Sequence, residues 1–149
     1  MTYGVIFWGN SSDSKRVFLA QKRAIRAICG VSARTSCRPL FRKLGILTLA
    51  SQYIFSLMSF VVNNISLFPR VSSFHSVNTR QKSDLHLDHT SLTLVQKGVQ
   101  YSAASIFNKL PQELNDLSIK PRAFKSKLKS YLMAHSFYSV EELLEKFKN

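Results

Sequence analysis

Apolar residues recur every three to four positions along most of the chain, which predicts a mainly α-helical fold. The first such segment, residues 14–29, follows three N-capping candidates at 12–14 and precedes Gly30, a residue type that often ends helices. Its periodicity predicts one apolar and one cationic side. The apolar side is expected to hold Val17, Phe18, Ala24, Ile25, Ile28 and Cys29, and the cationic side Lys15, Lys22 and Arg26, extended by Arg16 and Arg23.

A second basic segment, residues 34–43, precedes a long apolar helix. Pro39 suits the first turn of a helix, and Gly45 then interrupts the chain. Thr48 is placed to cap a helix that runs to about Asn63. Because that helix is apolar on nearly every side, we expect it to lie at the centre of the core. The cations of the second basic segment are Arg34, Arg38, Arg42 and Lys43.

The middle of the chain, residues 64–91, lacks helical periodicity, and Pro69 together with the serines at 66, 72, 73, 76 and 83 predicts a long central loop. Alternating residues at 91–97 indicate one short strand or hairpin. The rest of the chain again favours helices. These are expected at Val99–Leu110, from Pro121 to about His135, and at Val140–Phe147, where Ser139 and Glu142 form a capping box.

The chain opens on an apolar run, residues 3–9, which by itself fits either a strand or the end of a helix. A natural domain seldom begins with so hydrophobic a segment, so we expect the N-terminus to be truncated. The length suits one domain over residues 1–149. Its expected parts are a basic helix plus the core helix (1–65), a loop-rich part (66–98) and C-terminal helices (99–149).

The net charge of the chain says more about its binding partners than its overall composition does. The sequence has 21 Lys and Arg against 8 Asp and Glu, a formal net charge of +13. Nine of the basic residues lie in the first sixty positions, where Asp13 is the only acid. Such an excess predicts a polyanionic partner, either nucleic acid or an anionic membrane surface. The alternative is a solubilising surface, or a fragment whose acidic partner is missing.

Neither a membrane span nor a secreted fold is predicted. The most apolar stretch, Leu49 to Val62, is shorter than the roughly 20 residues that a span requires. The two cysteines, Cys29 and Cys37, are too few for a disulfide framework or a zinc site. We therefore expect an intracellular protein that does not bind membranes.

Catalytic chemistry has little support in the sequence. Polymerases and nucleases use clustered carboxylates to hold two metal ions, and no two aspartates are adjacent here. One loose cluster, Asp84, His86, Asp88 and His89, has metal-ligand chemistry, but such a loop is more often ordinary surface. Neither a phosphate-binding glycine loop nor a nucleophilic-serine motif occurs. We expect no enzymatic activity, no metal and no cofactor.

Several segments, taken in order, carry recognisable motifs. Residues 3–10 read YGVIFWGN, 22–30 KRAIRAICG, 34–41 RTSCRPLF, 44–49 LGILTL, 75–80 HSVNTR, 107–111 FNKLP, 124–129 FKSKLK and 137–143 FYSVEEL. As an ordered set they resemble the C-terminal region of reverse transcriptases from non-LTR (LINE-type, jockey-like) retrotransposons, whose blocks include YGxxxWG, QKKAIRIICG, HxYNTR, YNKLP and FKKKLK. The chain departs from these at Val77, where an aromatic is common, and at Ala50, where proline is frequent.

The resemblance implies an origin downstream of the catalytic palm and thumb of an RNA-directed DNA polymerase. The family's metal-binding Tyr/Phe-x-Asp-Asp motif is absent from this sequence, so no active site is implied here. What it does imply is sequence-independent contact with RNA or DNA backbones. The candidate contacts are Lys15, Arg16, Lys22, Arg23, Arg26, Arg34, Arg38, Arg42, Lys43 and, more weakly, Arg80.

A protein-docking module is the alternative. A truncated start predicts an exposed apolar patch at Ile6, Phe7 and Trp8, where the upstream polymerase domain would pack. In that case the cations are incidental, and the patch binds a polymerase core or a second copy of the chain.

Overall fold

A computed structural model describes residues 4–73, 84–87 and 98–148, and its regular structure is almost entirely helical. The predicted mainly α fold class is confirmed. The helices are α1 (Val5–Trp8), α2 (Ser14–Ile28), α3 (Arg38–Leu44), α4 (Leu49–Asn63), α5 (Val99–Phe107), α6 (Gln112–Asn115), α7 (Pro121–His135) and α8 (Val140–Lys148). Short 3-10 turns occupy Ile65–Leu67, Val71–Ser73 and Asp116–Ile119.

Helix ends follow the local signals closely. Gly30, just past α2, and Gly45, at the end of α3, both adopt positive φ angles, +63° and +64°, which glycine accepts without strain. The apolar run at the start of the chain is helical, as α1. Helix α5 ends at Phe107, three residues before the predicted Leu110, and the backbone tightens into i→i+3 bonds from Lys109 to Ile106 and from Leu110 to Phe107, just ahead of Pro111.

The core is built around α4, as predicted. Its buried residues face α7 and α5, and α1, α2 and α8 pack on it as well. From α7, Phe124, Leu128 and Leu132 reach the same core with no exposed surface. Gly9 permits the close approach of α1, since a Cβ there would lie 2.6 Å from the Tyr53 ring. A smaller cluster joins α2 to α3 and consists of Ile25, Cys37 and Phe41.

Thr48 fastens the start of α4 to the C-terminal part of the chain. This fully buried hydroxyl accepts a hydrogen bond from the Ser51 amide at 3.2 Å, as an N-cap residue should. It also donates to the carbonyl oxygen of Phe137, in the connection between α7 and α8. One side chain therefore satisfies two backbone groups from distant parts of the sequence.

We expect Thr48→Val to destabilise the protein by about 1–3 kcal/mol, because the Ser51 amide and the Phe137 carbonyl would be buried without partners. Urea unfolding measures the loss. The matched control is Thr35→Val, whose hydroxyl contacts only Ser32 near the surface and should change stability by less than about 0.5 kcal/mol. If the two changes lower the free energy of unfolding equally, Thr48 does not have this role.

The described parts of the predicted central loop contain two 3-10 turns and one antiparallel bridge between Arg70 and Leu85. Leu85 is 1% exposed and belongs to the core. The Asn108 side chain accepts from its amide at 2.8 Å and donates to its carbonyl at 2.9 Å. The predicted strand at 91–97 lies outside the described residues.

Candidate nucleic-acid interface

The orientation of α2 decides which of its cations reach solvent. Its packed side is centred on Phe18 and Ile25, whereas Ala24 is exposed and Ile28 is 66% exposed. The predicted apolar side was therefore wrong at these two residues. The contact with the start of α4 is made earlier in α2, where the Gln21 side chain donates to the Leu47 carbonyl and accepts from the Leu49 amide, both at 2.9 Å. These bonds fix the rotation of α2 against the start of α4.

Six of the candidate cations project outward, and we call them the outer cations. They are Lys15, Arg16 and Arg23 on α2, Arg34 between α2 and α3, and Arg42 and Lys43 on α3, and all six are exposed. None forms an ion pair with a carboxylate in the described part of the chain. Because α2 and α3 pack on each other, the outer cations on these two helices belong to one packed unit.

Spacing along α2 suits an extended polyanion. Arg16 and Arg23 are seven residues apart, nearly two turns, and so lie on one side about 10 Å apart along the axis. Among the outer cations, Arg42 has a weak internal contact, at 3.4 Å from its guanidinium to the His135 carbonyl. A guanidinium with free N–H groups binds phosphate oxygens in pairs, which favours arginine at such positions.

The remaining described candidates are partly buried, and two of them, Lys22 and Arg38, contact Tyr138. The Lys22 ammonium lies 4.8 Å from the Phe18 ring centroid and 5.3 Å from that of Tyr138, and the Arg38 guanidinium lies 4.5 Å from the Tyr138 centroid. Arg38 also pairs with Glu142 at 2.5 Å. We call Lys22, Arg38, Tyr138 and Glu142 the Tyr138 joint, since it connects α2, α3 and α8.

Electrostatics within the joint favour a neutral phenol holding two cations. Burial raises the pKa of the Tyr138 phenol, an effect that Arg38 and Arg26 partly offset. Glu142 accepts from the Tyr138 amide at 2.8 Å, and its own amide donates to the Ser139 hydroxyl at 3.2 Å. Arg26 is bound separately, its Nε donating to the Thr35 carbonyl at 2.9 Å. Lys22, Arg26 and Arg38 thus make closer internal contacts than the outer cations, of which Arg42 alone has a side-chain hydrogen bond within the described residues.

Adjacent residues Lys22 and Arg23 allow a matched comparison. Lys22→Gln should destabilise the fold by about 1 kcal/mol, because the cation–π contacts are lost, with little change in RNA affinity. Arg23→Gln should instead lower the affinity for single-stranded RNA about fivefold at 0.1 M salt, because one phosphate contact is lost. Unfolding curves and fluorescence anisotropy measure the two effects. Equal losses of affinity would place both side chains on the binding surface.

Comparison with known proteins assigns neither a family nor a function to the chain. No family model, no curated protein and no solved structure matches the chain. The charge and geometry of the α2–α3 unit are therefore the observations that bear on function.

The predicted docking patch is only partly exposed. Phe7 is 77% exposed, but Ile6 and Trp8 are half-buried and pack against the main core. Helix α1 packs on α4 through Val5, which has no exposed surface, and this contact brings Ile6 and Trp8 against the core. Phe7 is therefore the single strongly exposed member of the patch.

Within residues 4–73, 84–87 and 98–148, no group of three or more His, Cys, Asp or Glu side chains is placed to hold a metal ion. Burial raises the pKa of the Asp84 carboxyl. Its predicted companions Asp88 and His89 lie outside the described residues, as does Arg80. No single described helix meets the length and hydropathy of a membrane span, although α3 and α4 meet them jointly across a 53° bend.

Sequence reasoning missed the Tyr138 joint. The capping box identified Glu142 as a helix-capping residue, but its ion pair with Arg38 joins positions 104 residues apart. Local periodicity carries no signal for such a contact. The one available clue is the lone tyrosine directly before the capping box.

Proposed function

We propose that this chain binds the sugar–phosphate backbone of RNA or DNA without sequence preference, through the outer cations. One observation carries the proposal: six exposed Lys and Arg side chains on the packed α2–α3 unit have no acidic partner among the described residues. Like charges on one surface repel, and phosphates opposite them relieve that repulsion while releasing condensed counterions.

The outer cations support backbone contact rather than base readout. Five of the six make no side-chain hydrogen bond within the described residues, so nothing there holds them in the fixed geometry that reading base edges requires. Flexible cations follow a phosphate chain of any sequence. The expected partners are consequently RNA, DNA or a hybrid, in proportion to their charge density.

The origin of the chain is a further part of the proposal. The ordered motifs of the sequence support a non-catalytic segment of a retrotransposon reverse-transcriptase polyprotein. In that setting the outer cations would hold template RNA or the RNA–DNA product close to the polymerase. The motif at residues 22–30 begins within α2 and ends at Gly30. It contains one outer cation, Arg23, and two cations with internal contacts, Lys22 and Arg26.

Sequence independence gives the first test. Two single-stranded RNAs of equal length and unrelated sequence, one duplex DNA and one RNA–DNA hybrid are titrated against the folded chain at low salt. The proposal predicts binding of all four, with the two RNAs matched in affinity. Binding of one RNA only, or of none, would reject it.

The exposure of Phe7 favours a second candidate, a protein-docking module in which this side chain contacts a second copy of the chain. It predicts association that persists at high salt, since apolar burial is not screened by ions. Sedimentation of wild type and Phe7→Ser at high salt separates the two candidates. Salt-resistant dimers that Phe7→Ser dissociates support docking, and a monomer in both samples excludes it.

A further inference from the structure

A cavity of about 380 Å³ opens beside the outer cation Lys15. It lies between the α1–α2 turn and the starts of α4 and α8. Its volume is near the lower end of the range for pockets that hold single small molecules, roughly 300–1,000 Å³. One compact unit fits it, and a continuous strand or helix does not. The residues that line it include Ser12, Lys15, Phe18, Ala50, Tyr138 and Glu141.

We infer that this cavity accepts one unpaired nucleotide from a single strand bound along the outer cations. The inference rests on the proposed function and deepens it, because Lys15 belongs both to the outer cations and to the cavity wall. A strand whose phosphates contact Lys15 already has one nucleotide at the mouth of the cavity. No second electrostatic site is needed to bring it there.

The wall has the mixed chemistry that a nucleotide requires. Phe18 and Tyr138 both line it, and their rings meet edge to face with centroids 5.0 Å apart. The Lys22 ammonium lies over both rings, the Arg38 guanidinium lies over Tyr138, and Phe41 stacks on Phe18. The ring edges are therefore assigned to the base, and edge-to-face contact of this kind accepts a base of any identity. The serine hydroxyls around them donate and accept, which suits the polar edges of a base.

The charged residues of the cavity wall set the orientation of the bound nucleotide. The carboxylate of Glu141 also lines the wall, and a carboxylate accepts hydrogen bonds but repels phosphate. The phosphate is therefore assigned to the Lys15 side and the base to the rest of the wall. Bases in a duplex are paired and stacked and are not available to such a pocket, so the cavity favours single strands.

The direct test compares two probes of equal charge. One is a single-stranded RNA of about 12 nucleotides, within the usual site size of such proteins. The other is a ribose–phosphate chain of the same length that carries no bases. The outer cations bind both, but the cavity can use only the first. We expect the base-bearing RNA to bind roughly fivefold more tightly, because an edge-to-face aromatic contact contributes about 1 kcal/mol.

Ala50→Leu tests the location, because the larger side chain fills the cavity from the first turn of α4. It should abolish the preference for the base-bearing RNA and leave the affinity for the abasic chain unchanged. The matched control is Ala123→Leu, at an exposed position of α7 outside the cavity, which should keep the preference. Circular dichroism checks that each variant is folded. Ser12→Leu, at the exposed rim, replaces Ala50→Leu if that variant does not fold.

The outcomes separate the two claims. Equal affinity of wild type for both probes overturns the nucleotide cavity and leaves backbone binding in place. Failure to bind either probe at low salt overturns backbone binding, and the cavity inference falls with it. A preference that survives in the filled variants, Ala50→Leu and Ser12→Leu, places base recognition elsewhere and also overturns the inference.

Discussion

Changing Arg16 and Arg23 together to glutamate is expected to weaken the binding of single-stranded RNA at least about 25-fold at 0.1 M salt. Each lost phosphate contact removes roughly 0.7 of a log unit from affinity at that salt concentration, and the new carboxylates add repulsion. Both side chains are exposed and neither forms an ion pair with a described carboxylate, so folding should be unaffected. Fluorescence anisotropy with labelled RNA measures the loss.

Helix α7 supplies a closely matched control for this change. Arg122 and Lys129 are exposed, are also seven residues apart, and allow the same change of net charge when both become glutamate. If binding is local to α2 and α3, this second variant should lose much less affinity than the first. Equal losses would mean that net charge, and not the α2–α3 surface, governs binding.

Phe124→Ala is expected to have the largest effect on stability, about 3–5 kcal/mol. The ring has no exposed surface and lies on α7 in the core built around α4, so its removal leaves a cavity where the two helices meet. A loss of this size is a large part of the 5–15 kcal/mol that typically holds a domain folded. Urea denaturation should show a much lower midpoint, or a chain that is unfolded in buffer.

A neighbouring position on α7 serves as the control for Phe124. Ser126 is exposed, and Ser126→Ala should change the free energy of unfolding by less than about 0.5 kcal/mol. A cost below about 1 kcal/mol for Phe124→Ala would contradict a core centred on α4 and α7.

Local signals predicted most of the helices. Thr48, Gly30, Gly45 and the Ser139–Glu142 capping box each mark a helix end through hydrogen bonds with residues a few positions away. The central role of α4 followed from its composition alone, since a helix apolar on nearly every side must be covered all round. These features could be predicted because the residues that cause them lie close together in the sequence.

The division of the cations was not predictable, because its causes are distant in sequence. Periodicity placed Lys22 with Lys15 on one cationic side of α2. In the structure, the Gln21 side chain is hydrogen-bonded to the backbone of Leu47 and Leu49. The cationic groups of Lys22 and Arg38 both contact the Tyr138 ring. The pair of hydrogen bonds between Asn108 and Leu85 was unpredictable for the same reason, because the partners lie 23 positions apart.

The central claim is that the outer cations neutralise phosphates, and a salt titration of single-stranded RNA binding tests it most directly. Six contacts at roughly 0.7 each predict a slope of about −4 when log affinity is plotted against log salt. A slope of that size, reduced by more than one unit in the Arg16→Glu/Arg23→Glu variant, is the result expected here. A slope near zero, or no binding at low salt by a folded sample, would contradict the account.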